Sequence, residues 1–260
     1  MAKLVLDLKK SVAQNAGIYF EKAKKTKKKL QGAEEALSRS LEKLRQLEKK
    51  KEEFELKEKE KETLRERKKE WYEKFRWFLS SDNFLVIGGR DATSNEVLIK
   101  KHTDKNDLVL HTDMAGSPFF VIKAENKEIP ESTIKEAADA VCTFSRAFKL
   151  GIQNTPVFYV TPEQVSKKTK AGEYMGKGAF MIYGKTNYIE NKINLAVGIK
   201  ENAIMAGPLE AIKKHCEKFV VLQQGNLKPS DAAKKIRAKI SGTIDEIVRA
   251  LPAGSFEIKK

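Results

Sequence analysis

The chain of 260 residues carries 51 lysines and arginines against 36 aspartates and glutamates, which gives a formal net charge of +15 at pH 7. Hydrophobic residues make up 40% and charged residues 33%, which suits one folded core with a large solvated surface. No apolar run approaches the roughly 20 residues of a membrane-spanning helix, and the start MAKLVLDLKK lacks the apolar centre of a secretory signal. We therefore expect a cytoplasmic protein that does not enter membranes, and the basic balance favours phosphate-rich polymers as partners.

The two cysteines, Cys142 and Cys216, belong to no CxxC or Cys/His pattern, so neither a disulfide framework nor a structural zinc site is expected. The sequence also lacks GxxxxGK[ST], GxSxG and a GxGxxG that follows a strand. We accordingly expect a protein without a cofactor, a resident metal or a catalytic residue.

Residues 1–70 are typical of a helical arm. There is neither glycine nor proline from Ala33 to Ile87, and Leu30, Leu37 and Leu44 recur every seven residues, as in the seam of a coiled coil. The simplest prediction is two long helices that meet near Gln31 and Gly32 and fold back as an antiparallel hairpin. A dimeric coiled coil is the alternative.

A lysine cluster lies near the start of this arm, where six of the eight residues from Lys22 to Lys29 are lysine. Such a run is as readily a solvated helix face as a binding surface. Its single sign favours contact with an anion, because like charges repel one another unless something neutralises them. Lys22, Lys25 and Lys29 are therefore candidate RNA contacts.

A junction, WYEKFRWFLSSDNFLVIGGRDATSNE, follows the arm. The spacing of Trp71, Phe75 and Phe78 predicts three aromatic rings on one helical face. The run Phe84–Ile87 predicts a buried strand that ends in a tight turn at Gly88 and Gly89.

The remaining chain predicts an α+β fold, with clustered strands and helices against one face. We expect an antiparallel meander of three strands, a helix over 131–150 that closes at Gly151, two further strands, and a tail of helices around one strand. The predicted strands cover 96–101, 108–112, 119–123, 156–160, 179–183 and 219–222, and the tail helices lie near 208–218 and 230–251.

Two groups of residues could carry chemistry. His102, Asp104, Asp107, His111 and Asp113 lie within twelve residues, and His111 and Asp113 would share one face of a strand, as a metal site of a nuclease or hydrolase requires. Ordinary turn residues at these positions are the commoner explanation.

The second group is the segment VSKKTKAGEYMGKG. It joins Lys167, Lys168 and Lys170 to three glycines and Tyr174, and freed backbone amides beside lysines and an aromatic ring suit a phosphate or an unstacked base. A mobile basic loop is the alternative interpretation.

The motifs WYEKFRWFLSSDNFLVIGGRDATSNE, DLVLHTDMAGSP, VSKKTKAGEYMGKGAFMIYGKTNY and AGPLEAIKKHCEKFVVLQQG closely resemble the NFACT-R (DUF814) domain of the ribosome-quality-control NFACT proteins. This family includes the fibronectin-binding protein A-like proteins and the nuclear export mediator factor. The stretch LDLKKSVAQNAGIYFEKAKK is similar to the family's start of its middle coiled coil, and the closing DEIVRALPAGSFEIKK is similar to archaeal members. The resemblance implies an arm over 1–70, an NFACT-R-like domain over 71–225 and a C-terminal helical tail over 226–260 that packs on it.

The resemblance also implies site residues. The positions that match family motifs are Ser81, Asp82, Gly88, Gly89, Arg90, Asp91, Asn95, His111, Asp113, Gly116, Pro118, Lys167, Gly172, Glu173, Tyr174, Gly178 and Lys185. Among them we expect Arg90, Lys167, Tyr174 and Lys185, with Lys168 and Lys170, to contact RNA.

By this resemblance the partners are the large ribosomal subunit, tRNA and rRNA. In the family, obstructed subunits with peptidyl-tRNA are recognised, and C-terminal tailing of the stalled chain, with alanine in bacteria, is supported. The family's N-terminal domain is not present in this sequence, so we expect RNA and ribosome binding rather than tailing by this chain alone.

Further expected partners are a separate N-terminal NFACT domain, a ubiquitin ligase bound through the coiled coil, or a second copy of the arm. The alternatives are the metal-dependent nuclease or hydrolase at His111 and Asp113 and a coiled-coil interaction scaffold.

Overall fold

The computed structural model describes residues 4–65, 69–168 and 175–259, and it divides the chain into two units, 1–68 and 69–260. The first unit is dominated by one helix, α1 (Val12–Arg65). This helix continues through Gly32, so the turn expected at Gln31 and Gly32 does not form, and the chain supplies one long helix of an arm rather than both. An isolated glycine inside a helix costs only about 1 kcal/mol, and the first proline of the chain is Pro118.

The residues that precede α1 are fastened to its first turns. The Tyr19 hydroxyl donates to the Val5 carbonyl at 2.6 Å, and the Asn15 side chain accepts from the Asp7 amide and donates to its carbonyl. Asn15 is buried although the surrounding helix is exposed. These contacts satisfy backbone groups of the segment that precedes the helix.

The second unit is α+β with antiparallel sheets, as expected. Its strands are β1 (Arg76–Leu79), β2 (Leu85–Gly88), β3 (Leu108–Thr112), β4 (Phe120–Ile122), β5 (Val157–Val160), β6 (Val165–Ser166), β7 (Met181–Ile182), β8 (Asn187–Ile189), β9 (Leu195–Lys200), β10 (Ala203–Gly207), β11 (Phe219–Leu227) and β12 (Phe256–Ile258). Its helices are α2 (Ala92–Lys101), α3 (Glu131–Phe144), α4 (Arg146–Leu150), α5 (Leu209–His215), α6 (Pro229–Ile240) and α7 (Ile244–Ala250). The described strands form sheets in the orders β1-β2-β4-β3-β5-β8, β10-β9-β11-β12 and β6-β7.

The central strands of the six-stranded sheet are buried on both faces, because alternate residues of β2, β3 and β4 enter different cores. Phe120 and Leu110 belong to a large cluster that also contains α3 and the four-stranded sheet, whereas Val121 and Val109 face a smaller cluster with Leu98 of α2. The period of two in these strands accounts for this division. The sheet thereby fixes α2 and α3 on opposite sides.

The segment 96–101 is a correction to the expected meander, since it lies in helix α2 and not in a strand. Asp91 caps this helix: its carboxylate accepts from the Ser94 amide at 2.8 Å, and the Ser94 hydroxyl accepts from the Asp91 amide. Asn95 and Leu98, three residues apart, form its buried face. The cap outweighs the strand-like alternation of the following residues.

The junction also differs from the prediction, because its three aromatic residues do not share a helical face. A single 3-10 turn over Trp71–Lys74 gives way to extended backbone at Phe75, and Phe78 lies in β1. Phe75 and Phe78 are buried in different clusters, while Trp71 remains 43% exposed and stacks on the His102 ring at 4.5 Å.

The helix expected over 131–150 is confirmed apart from a break at Ser145, whose backbone is extended. The Ser145 hydroxyl then accepts from the Ala147 amide and starts α4, which ends at Gly151 with φ of 76°. In the C-terminal segment, α6, α7 and β12 add Ile236, Ile247 and Phe256 to the large core.

Both cysteines are free and buried, and burial raises the pKa of Cys142 to about 12 and that of Cys216 to about 11. Across residues 4–65, 69–168 and 175–259, none of the helices is long and apolar enough to span a bilayer.

Candidate nucleic-acid interface

A cavity of about 500 Å³ opens in the second unit, between the end of β2, the start of α2 and the connection from β3 to β4. Residues from three of the four NFACT-R motifs named above line this cavity. They are Gly89, Arg90, Asp91, Asn95, His111, Gly116, Pro118 and Gly178. Positions nearly ninety residues apart in the chain therefore meet at one place, which we call the motif cavity.

The charges around the motif cavity are almost all positive. Among the described residues, five cationic side chains line it, and the single carboxylate is Asp91, which is engaged in capping α2. The cations are Arg76, Arg90, Arg146, Lys149 and Lys177. Such an arrangement attracts an anion.

Arg76 and Arg90 are held mainly by backbone carbonyls. Arg76 donates to the Leu251 carbonyl at 3.0 Å and lies 4.5 Å from the centre of the Phe144 ring. Arg90 donates to the Phe75 carbonyl at 2.9 Å, and its buried Nε has no hydrogen-bond partner. Burial, followed by the charge of Arg90, lowers the pKa of Arg76 to about 10. Burial, followed by the charge of Arg249, lowers the pKa of Arg90.

Arg90 has a structural role in addition to the RNA contact that we predict for it. Its guanidinium fastens the end of the 3-10 turn to the loop after β2, and it also lines the motif cavity. No hydrogen bond from its side chain to Asp91 or Asp113 is found among the described contacts.

Two glycines let the backbone close around the motif cavity. A Cβ at Gly89 would lie 1.8 Å from the Asn95 Oδ1, the atom that accepts from the Phe119 amide at 3.2 Å. Gly178 has φ of +75°, and a Cβ there would lie 2.5 Å from the backbone of Ala92. These close approaches explain the need for glycine at both positions.

Lys167 and Phe180 form the side of the site nearest the basic segment. The Lys167 ammonium donates to the Gly176 carbonyl at 3.1 Å, lies 3.7 Å from the Glu96 carboxylate and stands 4.9 Å from the centre of the Phe180 ring. Lys168 and Lys185 are exposed and do not line the motif cavity. The other residues predicted for this segment lie outside the described part of the chain; they are Lys170, Gly172, Glu173 and Tyr174.

Ser81 and Asp82, in the first half of the junction motif, do not line the motif cavity. The Asp82 carboxylate accepts from the hydroxyls of Ser132 and Thr133 at 2.5 and 2.8 Å, and these bonds lower the pKa of Asp82. The Ser81 amide donates to Glu136 at 2.8 Å. Ser81 and Asp82 therefore fix the turn between β1 and β2 to the start of α3.

Gly88 and the predicted lysines of α1 do not line the motif cavity. Gly88 packs against the Phe120 ring, which a Cβ would meet at 2.4 Å. Lys22, Lys25 and Lys29 are exposed on α1, so each is accessible to an anion.

The histidines and carboxylates that suggested a metal site are engaged in other contacts. Asp104 and Asp107 both pair with Lys123, at 2.6 Å for Asp104, and Asp113 accepts from the Tyr188 hydroxyl. His111 stacks on Phe119 with ring centres 4.0 Å apart. In the described parts of the chain, no three His, Cys, Asp or Glu side chains are grouped as a metal site requires.

His111 is neutral near pH 7. Its Nε2 lies 3.2 Å from the Ser117 carbonyl, which only accepts, so Nε2 carries the proton. Burial lowers the pKa of His111 below its ordinary value of 6.5, against the smaller raising effects of the Ser117 carbonyl and Asp113.

This lowered pKa predicts a pH dependence of stability. The contribution of His111 is fully present above the unfolded-state pKa and is lost as pH falls through the folded-state pKa, because only the unfolded chain then binds the proton. The unfolding free energy of wild type should therefore drop relative to that of His111→Phe between about pH 7.5 and pH 5. Urea denaturation at both pH values measures this, and a constant difference between the two proteins would contradict it.

Sequence reasoning missed four of the five cations. Arg76 lies in a strand, Arg146 and Lys149 lie three residues apart on the short α4, and Lys177 directly precedes Gly178. The FSRAFKL stretch that follows the predicted helix face was the only local signal for two of them.

The cations that line this cavity suit an anionic ligand. Residues 74–184 match the NFACT protein RNA binding domain, and the chain belongs to the NFACT family. It is 41% identical over 202 residues to the "Archaeal Rqc2 homolog aRqcH" of Methanocaldococcus jannaschii, covering 75% of this chain and 30% of that protein.

Two animal relatives are also similar. The "Ribosome quality control complex subunit NEMF homolog" of Drosophila melanogaster is 34% identical over 75% of this chain and 19% of its own length. The human "Ribosome quality control complex subunit NEMF" is 37% identical over 67% of this chain and 16% of its own length. The chain thus spans less than a third of these curated relatives.

Proposed function

We propose that this chain is an RNA- and ribosome-binding module of the ribosome quality control pathway. The observation that carries the proposal is the motif cavity, where residues of the NFACT RNA-binding domain meet five cations and one engaged carboxylate. Lys167, Lys168, Lys170 and Lys185 extend the basic surface beyond the cavity, and Lys22, Lys25 and Lys29 supply a second basic surface on α1.

Two relatives are named as ribosome quality control complex subunits, and these names support the finer parts of the proposal. The module contacts tRNA or rRNA on obstructed large subunits that retain peptidyl-tRNA, in the cytoplasm. In a complete NFACT protein it supports C-terminal tailing of the stalled chain, with the N-terminal NFACT domain supplied by another chain or segment. The binding itself requires no cofactor. We propose the same division as from the sequence: an arm over 1–70, the RNA-binding domain over 71–225 and a tail over 226–260.

The test of this proposal is RNA binding by charge-reversed protein. Changing Lys167, Lys168 and Lys170 to glutamate should weaken tRNA binding well over tenfold, because each lost phosphate contact removes counterion release. Filter binding across a salt series measures both the affinity and its salt slope, which should also become shallower.

The matched control reverses Lys213, Lys235 and Lys239, exposed lysines of α5 and α6 that do not line the motif cavity. This control should retain most of the affinity. An equal loss in both triple variants would show that only the net charge matters and would remove the assignment of this segment.

The arm favours a second role as a protein-binding helix. Leu30, Leu37, Leu41 and Leu44 are between 52% and 62% exposed along one heptad seam of α1. We propose that another helix covers this seam, either in a ubiquitin ligase, in an N-terminal NFACT domain or in a second copy of the arm. Sedimentation equilibrium of the purified chain distinguishes the dimer from the other two, and co-sedimentation with ribosomal subunits shows whether the arm is needed for binding.

A further inference from the structure

The inner part of the motif cavity carries two guanidinium groups, and none of the described hydrogen bonds or ion pairs joins either of them to a carboxylate. The charge of Arg90 lowers the pKa of Arg76, and the hydrogen bonds of the two side chains go to the carbonyls of Leu251, Glu73 and Phe75. A carbonyl satisfies a donor but does not neutralise its charge, so a cost of burying positive charge remains. A phosphate would offset that cost and suits the planar donor geometry of arginine.

The outer part adds two cations that are free to move onto such a phosphate. Arg146 and Lys149 are exposed, lie three residues apart on α4, and line the same cavity. Side chains three positions apart on a helix point the same way. Together with Arg76 they can surround one phosphate from two sides.

The cavity is larger than a phosphate needs. Its volume of about 500 Å³ falls in the usual range for organic ligands, and part of its wall is aromatic. Phe180 is partly exposed and packs edge-on against the buried Phe119 at 5.5 Å, with the Lys167 ammonium over its ring. A flat base can stack on such a ring, and this contact tolerates any base.

A second cavity of about 450 Å³ adjoins the first, and the two share Lys149 and Ala253. Its wall includes Gly225 and Gly254, where backbone rather than side chains faces the space. A bound RNA strand that leaves the motif cavity would therefore pass Lys149 and could continue into the second cavity.

We infer that the motif cavity takes one unstacked nucleotide of single-stranded RNA, with its phosphate held by Arg76, Arg146 and Lys149 and its base against Phe180. The strand continues across Lys149 into the second cavity. This inference rests on the RNA-binding function proposed above and specifies which form of RNA the site accepts. A base that is paired and stacked in a duplex cannot enter a cavity of this kind, so single strands are preferred over duplexes.

The test compares Arg146→Gln/Lys149→Gln with Lys235→Gln/Lys239→Gln, a control that removes the same charge from the exposed face of α6. Fluorescence anisotropy is measured with a labelled single-stranded RNA of about ten nucleotides and with a duplex of the same sequence. The cavity variant should bind the single strand about tenfold or more weakly and with a salt slope shallower by about 0.7, since the neutralisation of one phosphate is lost. The affinity of the cavity variant for the duplex should change little, and the control variant should bind both RNAs nearly as tightly as wild type.

Phe180→Ala provides the second variant. It should weaken single-strand binding roughly tenfold while leaving the salt slope unchanged, because a stacking contact carries no charge. Inorganic polyphosphate serves as a competitor without bases, and it should displace the RNA less well than an unlabelled single strand of equal phosphate content.

The outcomes separate the two proposals. If no RNA is bound by wild type, the RNA-binding function itself fails. If wild type binds RNA but the cavity variant loses affinity for single strand and duplex equally, or polyphosphate competes as well as RNA, the basic surface binds phosphate only and the nucleotide site is overturned.

Discussion

Replacing Lys123 with methionine is expected to lower the free energy of unfolding by about 3–5 kcal/mol, because it leaves a buried carboxylate without its counter-charge. Lys123 is 9% exposed and Asp107 is 2% exposed. The ammonium pairs with Asp107 and Asp104 and donates to the His102 carbonyl at 3.1 Å. Asp107 also accepts from the amides of Asp104 and Ala124, so it cannot turn towards water without breaking the loop. Urea denaturation measures the loss.

Lys127→Met is the matched control, since Lys127 is exposed in the adjoining turn, and it should change stability by less than about 0.5 kcal/mol. The double variant Lys123→Met/Asp107→Asn should recover part of the loss, because the uncompensated charge is gone. A loss below about 1 kcal/mol for Lys123→Met would mean that the pair is solvated and that this description of the core is mistaken.

Gly89→Ala is expected to destabilise the domain by roughly 3 kcal/mol and to disturb the motif cavity at the same time. The new methyl group would meet the Asn95 Oδ1 at 1.8 Å, so Asn95 must move. Its movement combines overpacking with the loss of the acceptor for the buried Phe119 amide. Chemical denaturation gives the stability, and single-strand RNA affinity should fall with it.

The control for this variant is Gly176→Ala, because a Cβ at Gly176 meets no atom within 4 Å. A double-mutant cycle then identifies the cause. Gly89→Ala/Asn95→Ala should cost less than the sum of the two single changes, since the shortened side chain at position 95 vacates the space. Strict additivity would show that the methyl group clashes with something else.

Local sequence signals predicted those parts of the fold that local physics determines. The heptads predicted long helical structure at α1, and Gly151 predicted the end of α4. The apolar pattern predicted the strands β3 and β5. The error at α2 arose because alternating apolar residues were given more weight than the cap formed by Asp91 and Ser94. The hairpin failed because a lone glycine does not end a helix that otherwise contains good helix formers.

The motif cavity was only partly within reach of the sequence. Gly89, Asn95, His111 and Gly178 could be named through the family resemblance, but no spacing rule shows that they share a cavity. The cations of β1, α4 and residue 177 meet only after the sheet has formed. Residues of a site that tertiary structure assembles carry no local signature, whereas the lysine-rich segment has one, and its contact with RNA stays a prediction.

The large core has a consequence for how this domain acquires its structure. Its buried members run from Trp77 in β1 to Phe256 in β12, and β12 pairs with β11 along the edge of the four-stranded sheet. Contacts between residues so far apart in sequence form slowly, because a long loop must close before any stabilisation is gained. During its own synthesis the domain should therefore stay incomplete until the strand that carries Phe256 has emerged, with the edge of β11 open to other chains in the meantime.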